Sequence, residues 1–376
     1  MTRMSCDLLE QLQTIPDPRR LTRNRKHLLS DVLLSGFCGV LADCNNFVEI
    51  ADWARHHEDF LRTFLELPNG IPSHDTYNRV LAAVRPEALQ AILIPWLQQR
   101  RGIAGDWVHI DGKAMRGTRH ARQELGALHL VSAWASQHGL TLGQVAVDAK
   151  SNEITAIPQL LELLDLRDKV VTIDAVGCQK DIAAQIVGGG GDYVLAVKDN
   201  QPTLHAEVRE AFVSALDNEV AHLRHYHCKE KGHGRQEWRV VWVLPAAKYV
   251  SCQAAWLGLR TLVMVLRVVT CPVSGAETIE TRYFISSLRP SARRLARVIR
   301  SHWMIENGLH WVLDVVFRED ARRLYDRTAA ENVGLLNRLS ASLLRGDSSK
   351  GSLTVKRKRA AWNVGYLAQL LGLPIP

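Results

Sequence analysis

The chain has no long apolar run. Its most apolar stretches, SDVLLSGFCGVLADC and LGLRTLVMVLRVV, are broken by Asp31, Asp43, Arg260 and Arg267. None approaches the roughly 20 apolar residues that a membrane-spanning helix needs. The opening MTRMSCDLLEQLQ turns polar before the apolar core of a secretory leader has formed. Cysteine is sparse: seven scattered residues in 376, odd in number and never spaced as CxxC. That pattern argues against a disulfide framework or a zinc ribbon and predicts reduced thiols. Internal repeats and low-complexity tracts are missing too. Together these absences predict a soluble, cytoplasmic protein that makes no membrane contact.

What is present is an ordinary globular composition, with 47% hydrophobic and 23% charged residues. A length of 376 residues predicts two domains, or one large domain with an insertion. The net charge of +8 and pI of about 9.2 favour a polyanionic partner.

Residues 1–103 read as a helical N-terminal domain. Leu28, Leu29, Val32, Leu33, Phe37, Val40 and Leu41 recur at helical spacing, as do Phe47, Ile50, Trp53 and Ala54. Ser73 is placed to cap a helix through Val84, and Pro86 opens the next one. Arg19, Arg20, Arg23, Arg25 and Lys26 form a basic leading edge that fits either DNA contact or a solvated arm.

Residues 104–345 read as α/β. WVHIDGKAM, LHLVSAWAS and LTLGQVAVDAK are three successive strands. NEITAIPQLLELLDL is a helix, KVVTIDA a fourth strand, QKDIAAQIV a helix and DYVLAVK a fifth strand. This order is that of a ribonuclease H-like fold, in which the first and fourth strands lie side by side. Residues of about 200–290 read as a β-rich insertion, followed from Ser291 by one long amphipathic helix. Residues 346–376 are a basic tail whose Lys356, Arg357, Lys358 and Arg359 fit a phosphate-contacting arm or a solvated charge run. Trp134, Trp242 and Trp256 are expected in the core.

Three acids fall where rigid elements end: Asp111 at the first strand, Asp174 at the fourth, and Glu306 on the long helix. An acid after a strand often only caps the next turn. Three brought together from separate elements instead suit phosphodiester chemistry, in which two Mg²⁺ ions about 3.5–4 Å apart clamp the attacking and leaving oxygens. Magnesium takes oxygen ligands, typically one or two carboxylates with water and phosphate. Asp314, Glu319 and Asp320 compete with Glu306 for the third place. His302, Glu306 and His310 share a helical stripe, but without HExxH the set suits magnesium better than zinc. His225, His227, Cys228 and His233 form a loose cluster that reads as a polar turn, with Arg235 and Arg239 facing DNA. Lys113, Lys150, Lys198 and Asn200 follow strands; of these, Lys198 and Asn200 are taken as phosphate contacts.

Eight segments in order carry a resemblance: PSHDTYNRV, HIDGKAMRGT, LHLVSAW, KSNEITAIPQLLELLDL, VVTIDAVGCQKDIA, GDYVLAVKDNQ, HGRQEWR and HWMIENGLHWVLDVVFREDA. The chain resembles the DDE transposases of bacterial insertion sequences, in the H-repeat-associated (ISAs-type) branch. The resemblance implies a ribonuclease H-like core in which Asp111, Asp174 and Glu306 hold Mg²⁺, with Mn²⁺ able to substitute. It implies binding to the terminal inverted repeats of double-stranded DNA, release of 3′-hydroxyls and their joining to target DNA. It further implies a homodimer on DNA, located at the bacterial nucleoid. A nuclease that cuts without joining, and a catalytically silent DNA-binding relic or co-opted protein, are the rival functions. The wider group carries Tyr, two residues, Arg, three residues, Glu, six residues, Lys. Aligned on Glu306, this chain has Ile299, His302, Glu306 and Leu313 there. His302 is expected to contact phosphate. Trp303 matches the Trp that commonly follows the Arg, and is expected either to stack on a flipped base or to pack with Ile299 and Trp311.

Overall fold

The computed structural model describes residues 7–374 except 21–24, 103–106, 121–125, 148–150, 222, 233–234 and 273. Six helices come first: α1 (Asp7–Gln13), α2 (Leu29–Leu41), α3 (Phe47–His56), α4 (Glu58–Leu61), α5 (His74–Ala83) and α6 (Pro86–Arg101). All of α2 is buried, so it is apolar on every side. Its one carboxylate, Asp31, accepts the backbone N–H of Leu67 at 2.8 Å, which satisfies the buried group. Ser73 caps α5 by accepting the Thr76 N–H, and Pro86 opens α6, where its missing N–H costs nothing.

Then come β1 (Trp107–Met115), β2 (Leu128–Ala135), β3 (Leu140–Ala146), α7 (Glu153–Glu162), β4 (Val170–Ile173), α8 (Lys180–Gly188) and β5 (Asp192–Val197). Helix α9 (Pro202–Asp217) precedes four long strands: β6 (Arg224–Gly232), β7 (Arg235–Pro245), β8 (Thr261–Thr270) and β9 (Glu277–Ser286). The chain closes with α10 (Ala292–His302), a π-helical segment (Glu306–His310), α11 (Trp311–Val315), α12 (Arg327–Gly346), α13 (Leu353–Trp362) and α14 (Val364–Leu371).

All nine strands form one mixed sheet in the order β3-β2-β1-β4-β5-β9-β8-β7-β6. β1 runs parallel to β4, with Ile110 opposite Ile173, and β4 runs parallel to β5. The added strands do not stand apart as a subdomain. β9 pairs antiparallel with β5, Leu195 opposite Ile285, so they continue the same sheet. α10 lies across them, its Leu295, Val298 and Ile299 packed with Val170, Val194, Val241, Val263 and Phe284.

Four expectations need correction. Residues 200–290 are not uniformly β. In α9, Leu204, Val208, Ala211, Phe212 and Ala215 make a buried helical stripe. The polar turn at His225 is strand β6, paired with β7. Its alternation puts His225 and His227 on one face, with rings 6.5 Å apart, and Cys228 on the other, so the three do not converge. His233 and Lys150 lie outside the described residues. The long helix after Ser291 breaks at Trp303 and continues as a π segment. The basic tail is folded: α13 and α14 pack on the helical body, where Arg100 donates to the Leu370 carbonyl at 2.9 Å.

Candidate active site

The parallel pairing of β1 with β4 ends at Ile110 and Ile173, which brings the next residues, Asp111 and Asp174, side by side. Asp111 does not end its strand, because β1 continues to Met115 along β2 alone. Its Oδ1 accepts the Gly112 N–H at 2.9 Å. Asp174 follows β4 and does cap a short 3₁₀ turn, accepting the Val176 N–H at 3.0 Å. The cap fixes its orientation and leaves the other oxygen for a ligand. Asn200 clamps the same turn by donating to the Ala175 carbonyl at 2.6 Å, so its amide serves the loop.

Burial pushes the Asp111 carboxyl up to about 7, and the charges of Glu153, Asp174 and Glu306 add to the effect. Burial and Glu153 likewise raise Asp174, which Lys198 pulls part of the way back. Four acids therefore share one electrostatic neighbourhood. Glu306 is exposed and makes no hydrogen bond or ion pair among the described residues. Its competitors are already paired. Buried Lys113 holds Asp314 at 2.7 Å, Asp320 at 3.1 Å and Glu319 at 3.6 Å. Glu319 also meets buried Arg338 at 3.2 Å, and Asp320 accepts the Arg116 N–H.

Glu153 and its partner His129, 2.6 Å apart, went unread in the sequence because a glutamate in a first helical turn looks like an ordinary dipole-matched acid. The signal lay in the glycine of IDG. A Cβ on Gly112 would fall 2.2 Å from both Glu153 Oε1 and His129 Nε2, so the pair approaches β1 only because that residue is glycine. His310 Nδ1 lies 3.6 Å from Asp111 Oδ2, and burial drops the ring to about 3, which keeps it neutral.

His302 does not reach toward phosphate. Its Nδ1 bonds Thr172 Oγ1 at 2.7 Å, and burial beside Arg282 lowers it to about 4, so it is uncharged. Trp303 is half-buried and lines a cleft of about 220 Å³ with Asp174, Lys198, Arg282 and His302. The guanidinium of Arg282, which the sequence reading missed, sits 4.3 Å from its ring centroid. Trp311 is 56% exposed and forms no core with it. Trp134 and Trp256 are buried as expected, and Trp242 packs partly buried against the core.

Lys198 is exposed at the cleft. The side chain of Arg235 lies outside the described residues, and Arg239 pairs with Glu230 and Glu237. The KRKR cluster is mostly not a phosphate arm. Arg357 is fully buried, its guanidinium taking the carbonyls of Val40 and Cys44 at the end of α2 and the carboxylate of Asp43. A buried arginine that answers a helix C-terminus this way is satisfied and unavailable. Lys356 is buried against Asp347 and the Leu344 carbonyl, and Arg359 donates to Ser349; Lys358 alone of the four is exposed.

Among the described residues no three His, Cys, Asp or Glu side chains lie close enough together to hold a metal ion. The donor chemistry nonetheless fits a hard divalent cation. Asp111 and Asp174 are part-buried carboxylates raised by burial and by neighbouring acids, and Glu306 adds its charge to Asp111 from the exposed side.

Residues 9–97 match the family described as DDE_Tnp_1-associated, and residues 99–343 match that described as Transposase DDE domain. The chain is 40% identical over 369 residues to "Putative transposase YncI" of Escherichia coli O157:H7, covering 97% of this chain and 94% of that one. It is 37% identical to "H repeat-associated putative transposase YhhI" of Escherichia coli K12, over 97% of each chain. It is 44% identical over 278 residues to an "Uncharacterized protein in dhlA 3'region" of Xanthobacter autotrophicus, covering 73% and 92%. The chain belongs to the DDE transposase family, with the H repeat-associated transposases among its relatives.

Proposed function

We propose that the chain is an insertion-sequence transposase that binds the terminal inverted repeats of its element, hydrolyses the ends and joins the freed 3′-hydroxyls to target DNA. The observation that supports this reading is that Asp111 and Asp174 stand next to each other where the β1–β4 pairing ends, and that burial with the charges of Glu153, Asp174 and Glu306 raises the Asp111 carboxyl. Strands β1–β5 in the order 3-2-1-4-5 support a ribonuclease H-like core, which β6–β9 extend.

Asp111, Asp174 and Glu306 are the residues that would hold the Mg²⁺ ions. When bound, the ions lower the pKa of the attacking water and neutralise charge on the phosphate oxygens. The protein's own groups do the rest. The Asp174 cap holds that carboxylate rigid, and Lys198 and Arg282 present cations to the strand beside it. Trp303 offers a ring face at the cleft for an unstacked base, a contact worth about 1–3 kcal/mol. Two such chains, each on one element end, would form the working dimer.

The test mixes the protein with DNA bearing the inverted repeats that flank its gene, a plasmid target and Mg²⁺. Joined products are expected. Cut ends without joining would make it a nuclease, and a mobility shift without cutting would make it a binder only.

A further inference from the structure

Two hydrogen bonds tie together β1, β4 and α10, and a third anchors them to Ser136 after β2. His109 Nδ1 lies 2.6 Å from Thr172 Oγ1, and the same hydroxyl lies 2.7 Å from His302 Nδ1. The far side of His109 is held at Nε2, 2.7 Å from Ser136 Oγ. His109, Thr172 and Ser136 are all buried. The spacing matches the site. His109 precedes Asp111 by two residues on β1, Thr172 precedes Asp174 by two on β4, and His302 precedes Glu306 by four. Alternation along the strands gives His109 and Thr172 the same general face as Asp111 and Asp174, and His302 closes the helix that leads to Glu306. His109 and Thr172 are also direct cross-strand partners. The hydrogen-bonded row therefore runs beneath the row of acids.

Such a tie is needed because of where Glu306 sits. Two carboxylates on adjacent strands are placed by backbone pairing, but the third rides on a helix that breaks at Trp303 and enters a π segment at Glu306. Regular helical geometry does not fix a residue there. Its position depends on what pins the two ends, and the upstream pin is the bond from His302 to Thr172.

We propose that Thr172, with His109 and His302, is a positioning clasp that sets the distance of Glu306 from Asp111 and Asp174; this rests on the strand-cleavage reading above. The clasp has a definite hydrogen logic. Thr172 has one hydroxyl proton and two lone pairs and faces two Nδ1 atoms, so it can donate to one ring at most. At least one of the two rings therefore carries a proton on Nδ1.

Two measurements test this. In the metal-free, DNA-free protein, ¹⁵N shifts of the His109 and His302 rings should report a proton on Nδ1 of at least one of them. Thr172→Val keeps the shape and removes the hydroxyl. At saturating DNA and Mg²⁺ it should slow cleavage about 10- to 100-fold, as a catalytic group displaced by about 1 Å does, with DNA affinity within about twofold of wild type. Thr172→Ser should recover to within about threefold. If Thr172→Val does not fold, His302→Ala against His302→Asn makes the same comparison, because the Asn amide reaches the place of Nδ1. Wild-type rate in Thr172→Val, or a rate loss that Ser fails to restore or that follows a fall in melting temperature, overturns the clasp. So do two rings that both lack a proton on Nδ1, whatever the activity. A wild-type chain that cuts nothing while showing a protonated Nδ1 overturns the cleavage reading instead.

Discussion

Asp111 carries a charge that the folded chain alone does not compensate. Its carboxyl holds a proton up to about 7 in the folded protein, against an ordinary value of 3.8. Between those values the folded state binds more protons than the unfolded state, so this group's contribution to stability falls as pH rises. Asp111→Asn removes the penalty. In EDTA the variant should out-melt wild type at about pH 8, by up to about 4 kcal/mol, and match it below about pH 4. Thermal denaturation across that range measures the difference; equal melting at about pH 8 would contradict the uncompensated charge. At this scale the sequence was legible for Asp174, which follows its strand, and less so for Asp111, whose strand runs on to Met115. It was not legible for Glu153, whose importance depends on a glycine 41 positions earlier in the chain letting it approach. Nor was it for Arg357, because a guanidinium in a KRKR run looks solvated unless its carbonyl partners on Val40 and Cys44, 317 and 313 residues away, are known.

The π segment is the element on which the third acid depends. π-helical turns are rare and recur at functional sites. Here the segment is packed from below: a Cβ on Gly308 would lie 2.5 Å from the ring of buried Trp134, and Arg345 donates to the Gly308 carbonyl. Gly308→Ala should therefore cost about 1–3 kcal/mol by overpacking. Because it lifts the segment that carries Glu306, it should also slow cleavage while leaving DNA binding in place. Denaturant melts and a cleavage time course check both; unchanged stability and rate would show that the segment is not held by that contact. Periodicity gave the helices on either side of the break, since Leu295, Val298 and Ile299, then Val312 and Leu313, are buried at helical spacing. It could not show the π register, because the widened turn still leaves apolar residues on the inner face. The strands β1–β5 were legible for the opposite reason: short apolar runs punctuated by turns leave few alternative pairings.

Across the whole molecule, the helical N-terminal region, the nine-stranded sheet and the C-terminal helices share one core. Asn332 on α12 donates to the carbonyls of Leu81 and Val84, and Gln144 on β3 meets Gln90 on α6. These contacts were not legible in the sequence, because partners 251 and 248 residues apart leave no local mark in it. The joint core gives the acids a fixed frame, and the account stands on which acids they are. The direct measurement compares Asp111→Asn, Asp174→Asn and Glu306→Gln with Glu319→Gln in cleavage of inverted-repeat DNA, with binding and melting temperature recorded for each. The first three should lose cleavage by about 100-fold or more, with binding retained and the melting temperature not lowered. Glu319→Gln, which strips a partner from buried Arg338 and Lys113, should instead lower the melting temperature. A Glu306→Gln chain that cuts at the wild-type rate would contradict the account.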